Sequence, residues 1–497
     1  MKENVRVVGW GQITQPKDTP HAKDVMGLMV AASQRAAEHL KRPSILQQMD
    51  GIMVVRSLST HYDSAATTLA RLLHSRPGFS HVSLVGGNSP QTQINKAAAM
   101  IARGELNMVL VAGAETYVPR NPDLSKPDSA LMKGIPEDYP GDDAVGATPV
   151  EIRHGMEHPM QGFPLFETAL WHASGHSLQT HLTKVGKMWS TFNDVAATHP
   201  YAWTHSIKSP GEIITPSPKN RPVAFPYTKY MNAFVTVDQG AAVILMSESM
   251  AEKCARSRKR PVYFTGGGYA QDRQRFMVEK SDFTSSPPLK AAVDKALDRA
   301  DLDLEKIECF DLYSCFPCAV SIAKKMLKIS DDDPRPLTLT GGLGFFGGPG
   351  NNYNLHAVAT LAEKIAGGEY KTGMVTALGW FMHKHAAGIY SCHRPHTDLS
   401  TMDKEDETDY LAGATALPSI KAPRGKGHIE TYTIIYHPDH TPRYAILYGL
   451  TPDGKRFVAN TPDDPQIYAT LTEDTQVGRP VRFSTPSPKH PLVAQFV

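Results

Sequence analysis

The sequence has few cysteines and almost no net charge, and both features exclude whole classes of protein. Five cysteines in 497 residues are too few for a disulfide framework, which favours a reducing compartment. The 52 Lys and Arg residues nearly cancel the 50 Asp and Glu residues and leave a net charge of +2. No broad basic field is available for nucleic acid or for an anionic membrane, so neither is expected as a partner.

Long hydrophobic runs are missing as well. No stretch of about 18 apolar residues occurs, so no membrane span is predicted. The charged start around Lys2 and Glu3 lacks the apolar core of a secretion signal. The last three residues differ from a peroxisomal Ser-Lys-Leu address. We therefore expect a cytoplasmic protein.

The most informative feature present is an internal repeat. Residues 86–111 have the pattern of a glycine turn, an amphipathic helix and a buried strand, and residues 350–376 have the same order. A helix pattern and then a strand pattern precede each copy, over 25–55 and 289–312. Two similar halves that alternate strands and helices predict a duplicated α/β fold.

The rest of the chain predicts further units. A long insertion separates the halves, and long insertions are often lids or binding loops. Strand patterns over 429–436, 443–450 and 456–459 follow a charged stretch rich in proline and glycine, which predicts a linker and then a small β-barrel. The predicted boundaries are 1–117 with 231–260 for the N-terminal half, 118–230 for the inserted loop domain, 261–395 for the C-terminal half, 396–427 for the linker and 428–497 for the β domain.

Four motifs in order resemble those of the thiolase superfamily. Residues 101–115 (IARGELNMVLVAGAE) look like the helix and strand after a thiolase nucleophile loop, and 238–242 look like its Asp-Gly-Ala-Ala segment. Residues 311–316 resemble the Glu-Leu-His-Asp-Cys-Phe of sterol-carrier-type thiolases, and 341–349 resemble the Gly-Gly…Gly-His-Pro loop. The resemblance covers about residues 1–395. With the added β domain, the chain looks most like thiolase-like proteins of type 1. It implies a five-layered α/β/α/β/α fold with an inserted loop domain and an OB-like C-terminal domain.

The same resemblance implies where the catalytic groups of a thiolase would lie, and this chain lacks them. Thiolases use a cysteine nucleophile activated by a histidine, a second cysteine as acid and base, and an Asn or His in an oxyanion hole. These four positions fall on Gly87, Gly348, Ala377 and Tyr313 respectively. Glycine and alanine can neither carry an acyl group nor move a proton, so ordinary thiolase activity is not expected.

Two other groups have features of reactive sites. Ser89 lies at a predicted helix start, but Ser followed by Pro90 is typical of a helix N-cap rather than of a nucleophile. Cys315 and Cys318 have redox spacing, but no second pair completes a metal site, and a buried structural role is favoured. No metal and no required cofactor are predicted.

Four side chains remain as candidates for chemistry. Tyr313 and Tyr353 have an ordinary pKa near 10 and so donate hydrogen bonds at neutral pH. Some thiolase-fold aldolases, which split β-hydroxyacyl-CoA thioesters without a nucleophilic cysteine, use tyrosines in this region. The alternative is that Tyr313 only fills space. His383 and His385 share one face of a predicted strand and are candidates for acid–base or anion contacts, unless they lie in a solvated loop.

Arg221 and Lys229 are candidates to contact the phosphates of coenzyme A. The expected ligand is therefore a coenzyme A thioester. The expected function is acyl transfer or the making or breaking of a C–C bond in lipid metabolism, by a non-covalent, aldolase-like route assisted by tyrosine. The alternative is a non-catalytic acyl-CoA-binding or scaffold protein. The acyl group, and the choice between monomer and homodimer, stay open.

Overall fold

The first half of the chain alternates strands and helices in the predicted way. The computed structural model describes residues 3–118, 146–254, 260–402, 411–421, 423–484 and 492–497. Its first elements are β1 (Val5–Thr14), α1 (Val25–Glu38), β2 (Gly51–Val54), α2 (Ala65–Leu72), β3 (Phe79–Val82), α3 (Ser89–Ala102) and β4 (Met108–Thr116). Helix α1 begins where the Asp24 carboxylate accepts a 2.7 Å hydrogen bond from the Gly27 amide, which satisfies one free donor of the first turn.

The insertion is mainly helical where it is described. It contains α4 (Pro149–Arg153), α5 (Pro159–Ser174), α6 (Leu178–Thr198) and α7 (Pro210–Ile214), followed by a short hairpin of β5 (Pro222–Ala224) and β6 (Tyr227–Thr228). The chain then returns to the N-terminal half with β7 (Asp238–Ser247) and α8 (Glu248–Cys254). Within the described ranges, no helix combines the length and the apolar character needed to cross a membrane.

The second half follows the order of the first, except that in the described part of the chain no strand lies between α10 and α11 where β3 lies in the first half. It contains β8 (Tyr263–Asp272), α9 (Pro287–Ala300), β9 (Cys309–Asp311), α10 (Pro317–Leu327), α11 (Tyr353–Gly367), β10 (Thr372–Gly379), β11 (Lys384–Ser391) and the short β12 (Leu411–Ala412).

The two halves join edge to edge in one sheet. Among the described residues, ten strands form this sheet in the order β3-β2-β4-β7-β1-β8-β11-β10-β9, and β12 pairs with β8. Antiparallel pairing of β1 with β8 links the halves. On one side of that link, β2 is parallel to β3 and β4, while β4, β7 and β1 are antiparallel. On the other side, β9 is parallel to β10, while β10, β11 and β8 are antiparallel. The repeated pattern confirms the duplication.

Helices divide the molecule into five layers. Helices α3 and α11 contact each other and strands from both halves, so they form a central layer. Helix α1 packs on β1, β4 and β7, whereas α9 packs on β8 and β11. The two sheet regions therefore lie between the central helices and an outer helix layer on each side, which confirms the predicted α/β/α/β/α architecture.

The C-terminal domain is a nearly closed barrel. Strands β13 (Lys426–Tyr436), β14 (Pro442–Leu450) and β15 (Arg456–Asn460) precede a helix, α12 (Pro465–Glu473), that the sequence pattern did not predict. Strands β16 (Pro480–Phe483) and β17 (Ala494–Phe496) complete the order β15-β14-β13-β16-β17. A bridge between Asn460 and Val493 connects the two ends of that order, as expected of an OB-like domain.

The barrel packs closely on the main body. The hairpin β5-β6 of the insertion extends its sheet by pairing with β13. The buried guanidinium of Arg456 stacks 5.1 Å from the Phe283 ring and pairs with Glu430. The Tyr448 hydroxyl donates a 3.0 Å hydrogen bond to Glu151 of α4. The residue boundaries assigned to these units from the sequence stay predictions.

Candidate functional site

The predicted nucleophile loop leads from β3 into the central helix α3. Ser89 is the first helical residue rather than the predicted cap, and its hydroxyl donates a 2.7 Å hydrogen bond to the Leu84 carbonyl. The Gly86 amide donates a 2.9 Å hydrogen bond to the Asn351 side chain in the other half of the molecule. The loop is therefore held from both halves, and the Ser89 hydroxyl is already engaged.

Tyr313 fills the space that a side chain at Gly87 would need. A Cβ atom built on Gly87 would lie 2.1 Å from the Tyr313 hydroxyl oxygen and 2.5 Å from the Leu378 carbonyl oxygen. Both distances are far shorter than van der Waals contact, so this packing permits only glycine at position 87. Tyr313 is thus placed where the nucleophile of a thiolase would extend.

The Tyr313 hydroxyl stays protonated and can serve as a hydrogen-bond donor. Only 7% of the residue is exposed, and burial, together with the nearby Cys315, raises the pKa of Tyr313 well above its ordinary value. The amide of Tyr313 donates a 3.0 Å hydrogen bond to the Thr376 hydroxyl, which fixes the backbone at the end of β9. At neutral pH the phenol keeps its proton and can donate it in a hydrogen bond.

Tyr353 lies against Tyr313 but faces a different partner. The two rings meet edge to face with centroids 5.6 Å apart. The Tyr353 hydroxyl donates a 3.1 Å hydrogen bond to the Asp311 carboxylate and shares a 2.5 Å hydrogen bond with the Thr340 hydroxyl. Burial and the charge of Asp311 raise the pKa of Tyr353 well above its ordinary value. The structure brings the two predicted tyrosines together, but the Tyr353 proton is directed to Asp311.

Asp311, the last residue of β9, holds the start of the glycine-rich loop in place through its carboxylate. Its carboxylate accepts hydrogen bonds from the amides of Leu339 (2.8 Å) and Thr340 (3.1 Å). Burial raises the pKa of Asp311 in spite of these bonds. Gly341 and Gly342 follow with φ angles of +104° and +75°, a conformation that glycine adopts without strain and other residues rarely adopt. Glycine is therefore needed at positions 341 and 342 because of their positive φ angles.

The remaining two thiolase positions carry no reactive group. Ala377 is fully buried on β10, directly before Leu378, so a methyl group stands at the predicted place of the second cysteine. A Cβ built on Gly348 would lie 3.5 Å or more from its neighbours, at Leu343 and Ala233. Neither space nor backbone conformation demands glycine at position 348, and the histidine expected there by resemblance is simply missing.

His383 directly precedes β11, and His385 lies on it. The His385 Nε2 atom lies 2.9 Å from the hydroxyl of Ser286, which directly precedes the outer helix α9, so this ring faces away from the nucleophile loop. Burial lowers the pKa of both histidines to about 3, with a further contribution from the charge of Lys280. Both rings are therefore neutral at physiological pH.

Lys384, between the two histidines, faces the nucleophile loop and was missed from the sequence. Its ammonium donates a 3.3 Å hydrogen bond to the Val85 carbonyl, immediately before Gly86. The side chain is 3% exposed, and burial lowers the pKa of Lys384 to about 8. The signal in the sequence was the alternation of side chains along a strand, which places Lys384 on the face opposite to its two histidine neighbours.

Arg221 and Lys229 are neighbours in the hairpin beside the barrel. The Lys229 amide donates a 2.9 Å hydrogen bond to the Arg221 carbonyl. The Arg221 guanidinium donates a 3.0 Å hydrogen bond to the Pro222 carbonyl, while the Lys229 side chain is exposed. Their contact with coenzyme A stays a prediction.

Cys315 and Cys318 are buried free thiols. Burial raises the pKa of both thiols, and the Cys318 thiol lies 3.4 Å from the Phe163 carbonyl. Such thiols are inert, which fits the structural role favoured from the sequence. In the described parts of the chain, no group of His, Cys, Asp or Glu has an arrangement that would hold a metal ion.

Comparisons with known proteins agree on the fold. Residues 409–485 match the family described as the thiolase-like protein type 1 additional C-terminal domain. The monomeric SCP2-thiolase like protein type 1 from Mycobacterium smegmatis superposes with a TM-score of 0.82 and 28% identity, over 99% of this chain and 99% of that chain. No curated protein matches the chain in sequence.

More distant solved structures share the main body alone. The Ltp2–ChsH2(DUF35) aldolase matches 78% of this chain and 98% of its own, with a TM-score of 0.61 and 16% identity. The acetyl-CoA acetyltransferase from Bacillus anthracis matches 78% and 99%, with a TM-score of 0.57 and 14% identity. The chain therefore has the thiolase fold, with a duplicated five-layered body, and over residues 409–485 it carries the additional C-terminal domain of thiolase-like proteins of type 1.

Proposed function

We propose that this chain binds an acyl-CoA thioester where α3 begins and makes or breaks a C–C bond beside the thioester carbonyl without a covalent intermediate. One observation carries the proposal. The Tyr313 hydroxyl stands within 2.1 Å of the place where a Cβ at Gly87 would lie. A hydrogen-bond donor thus replaces a nucleophile at the centre of the fold.

The chemistry of such a reaction needs a donor at that place. Breaking the Cα–Cβ bond of a β-hydroxyacyl thioester, as the β-hydroxyl gives its proton to water, releases an aldehyde or ketone and leaves an enolate whose negative charge lies on the thioester oxygen. Protonation of that enolate at Cα by water then completes the shorter acyl-CoA. A fixed donor aimed at that oxygen lowers the barrier, and losing one donor of this kind typically costs about 100- to 1,000-fold in rate. The protonated phenol of Tyr313 can donate that hydrogen bond. Tyr353, held by Asp311 and packed on the Tyr313 ring, acts in this proposal as a positioning residue.

Lys384 adds positive charge on the same side. Its ammonium sits at the Val85 carbonyl, next to the loop that holds Gly87. In a buried environment a nearby positive charge stabilises developing negative charge far more than it does in water. His385 has no place in this mechanism, because its ring lies against Ser286 at the start of the outer helix α9.

A second candidate function is acyl-CoA binding without turnover. The observation that favours it is that the described side chains beside Gly87 offer no free proton acceptor: Tyr313 keeps its proton, and the Asp311 carboxylate already accepts hydrogen bonds from Tyr353 and from the amides of Leu339 and Thr340. Binding without turnover needs no proton acceptor.

Calorimetry with a panel of acyl-CoAs, followed by mass analysis of the products, tests the proposal. The panel consists of free CoA, acetyl-CoA, acetoacetyl-CoA and β-hydroxyacyl-CoAs of increasing chain length. Binding with cleavage of a β-hydroxyacyl-CoA supports the lyase, and binding of the panel without any product supports the second candidate. Failure of every member to bind refutes both.

We also propose that the protein is a monomer. The M. smegmatis protein that it resembles over its full length is described as monomeric. Light scattering on the eluting peak of a sizing column should give the chain mass of 54.4 kDa. Twice that mass would contradict the proposal.

A further inference from the structure

A basic cavity lies between the C-terminal end of α2 and the edge strand β3, away from the residues of the proposed thioester site. Its volume is about 530 Å³. The lining includes Thr67, Arg71, His74, Ser75, Arg76 and Ser80.

The charge of this cavity is one-sided. Arg71, His74 and Arg76 are exposed at its wall, and no acidic side chain lines it. Neither arginine has an ion pair within the described part of the chain. The end of α2 contributes a partial negative charge of about half a unit, which opposes an anion. Two full guanidinium charges outweigh that half unit, so the cavity attracts anions.

The carbonyl groups at the end of α2 are also already occupied. The Ser75 amide donates a 2.8 Å hydrogen bond to the Ala70 carbonyl, and the His74 amide donates a 3.1 Å hydrogen bond to the Arg71 carbonyl. These bonds turn the chain so that Arg71, His74 and Arg76 all line the same cavity.

Ser75 lies in the cavity wall with only 7% of its surface exposed. Its hydroxyl oxygen is buried behind that wall, so a molecule in the cavity would contact the exposed side chains of Arg71, His74 and Arg76 instead.

We propose that this cavity binds a phosphate-bearing small molecule of nucleotide size, with its phosphates held by Arg71 and Arg76. Guanidinium groups bind phosphate oxygens in pairs of parallel hydrogen bonds. The volume exceeds the need of a lone phosphate and lies within the range of about 300–1,000 Å³ that small-molecule sites occupy. This site does not depend on the proposed thioester chemistry.

Calorimetric titration at low ionic strength with ADP, adenosine, inorganic phosphate and coenzyme A tests the proposal. We expect ADP to bind at least about tenfold more tightly than adenosine, because the phosphates meet the two guanidinium groups. The double variant R71Q/R76Q should lose at least about tenfold in ADP affinity, while R443Q, which removes an exposed arginine from the barrel, should leave it unchanged.

The coenzyme A titration separates the two sources of such a phosphate. If R71Q/R76Q weakens coenzyme A as much as ADP, the cavity receives the nucleotide end of that molecule. If it weakens ADP alone, the ligand is a free nucleotide. Equal binding of adenosine and ADP, no effect of the double variant, or no binding of any phosphate compound overturns the proposal.

Discussion

A methyl group added at Gly87 should destabilise the protein strongly, because the space is already taken. The Cβ of Gly87→Ala would lie 2.1 Å from the Tyr313 hydroxyl oxygen, 2.6 Å from its Cζ atom and 2.5 Å from the Leu378 carbonyl oxygen. Relief requires movement of a ring and of backbone in a packed core, and overpacking of this kind costs about 3 kcal/mol. Urea unfolding of Gly87→Ala should show a lower free energy of unfolding by about that amount.

Gly367→Ala is the matched control. A Cβ at Gly367, near the end of α11, meets no atom within 4 Å. Alanine is a better helix former than glycine, so this variant should be neutral or more stable by up to about 1 kcal/mol. A similar loss in both variants would mean that glycine replacement is harmful in general and not through Tyr313.

A double-mutant cycle with Tyr313→Ala then tests the contact itself. Removing the ring opens a cavity and by itself costs about 3–5 kcal/mol. In that background Gly87→Ala should cost much less than in the wild type, since only the Leu378 carbonyl contact remains. If Gly87→Ala costs nothing, or costs the same in both backgrounds, the placement of Tyr313 at the nucleophile position is wrong.

Three further predictions follow from the site and the domain organisation. Incubation with acetoacetyl-CoA and free CoA should leave the protein mass unchanged, because the loop 86–91 has no cysteine and its one hydroxyl, on Ser89, is engaged with the Leu84 carbonyl; an acyl adduct there would contradict this expectation. Burial lowers the pKa of Lys384 to about 8, so between pH 8 and about pH 10 the unfolded chain binds more protons than the folded chain, and rising pH favours the folded state. The free energy of unfolding of the wild type should therefore increase relative to that of Lys384→Met over this pH interval. A difference that does not change with pH would refute the burial of the ammonium group. Limited proteolysis should cut first within 396–427, as expected of a linker before a folded domain, whereas even cleavage through the last 70 or so residues would indicate that the barrel is not folded.

The sequence predicted the duplication and the barrel because each depends on local patterns, whereas the five layers were expected from the resemblance to thiolases. The helix α3 and strand β4 were visible as one copy of a repeat, and β13 to β15 as alternating strands. Helix α12 was missed, since its short stretch carries a weak apolar pattern between strands. Its N-cap Asp464, whose carboxylate accepts a 2.8 Å hydrogen bond from the Gln466 amide, was the one local signal.

The site was predicted less well, because its contacts join distant parts of the chain. The sequence showed that Gly87 and Tyr313 replace two thiolase residues, but not that one occupies the space left by the other. The same holds for Lys384 and Val85, which lie far apart in sequence and meet across the central layer. His383 and His385 were kept as candidates because alternation places them on one face without telling which face is inward.

The most direct test of the central claim is the turnover of a β-hydroxyacyl-CoA by Tyr313→Phe, with Tyr432→Phe as the control. Tyr432 is a buried tyrosine of the barrel whose hydroxyl donates a 2.9 Å hydrogen bond to the Leu471 carbonyl, far along the chain from the site. The account predicts that Tyr313→Phe binds the substrate nearly as well as the wild type while its turnover falls by about 100-fold, and that Tyr432→Phe keeps its turnover. If the wild type turns over the substrate and Tyr313→Phe does so at the same rate, the Tyr313 hydroxyl is not the donor that the proposed reaction needs.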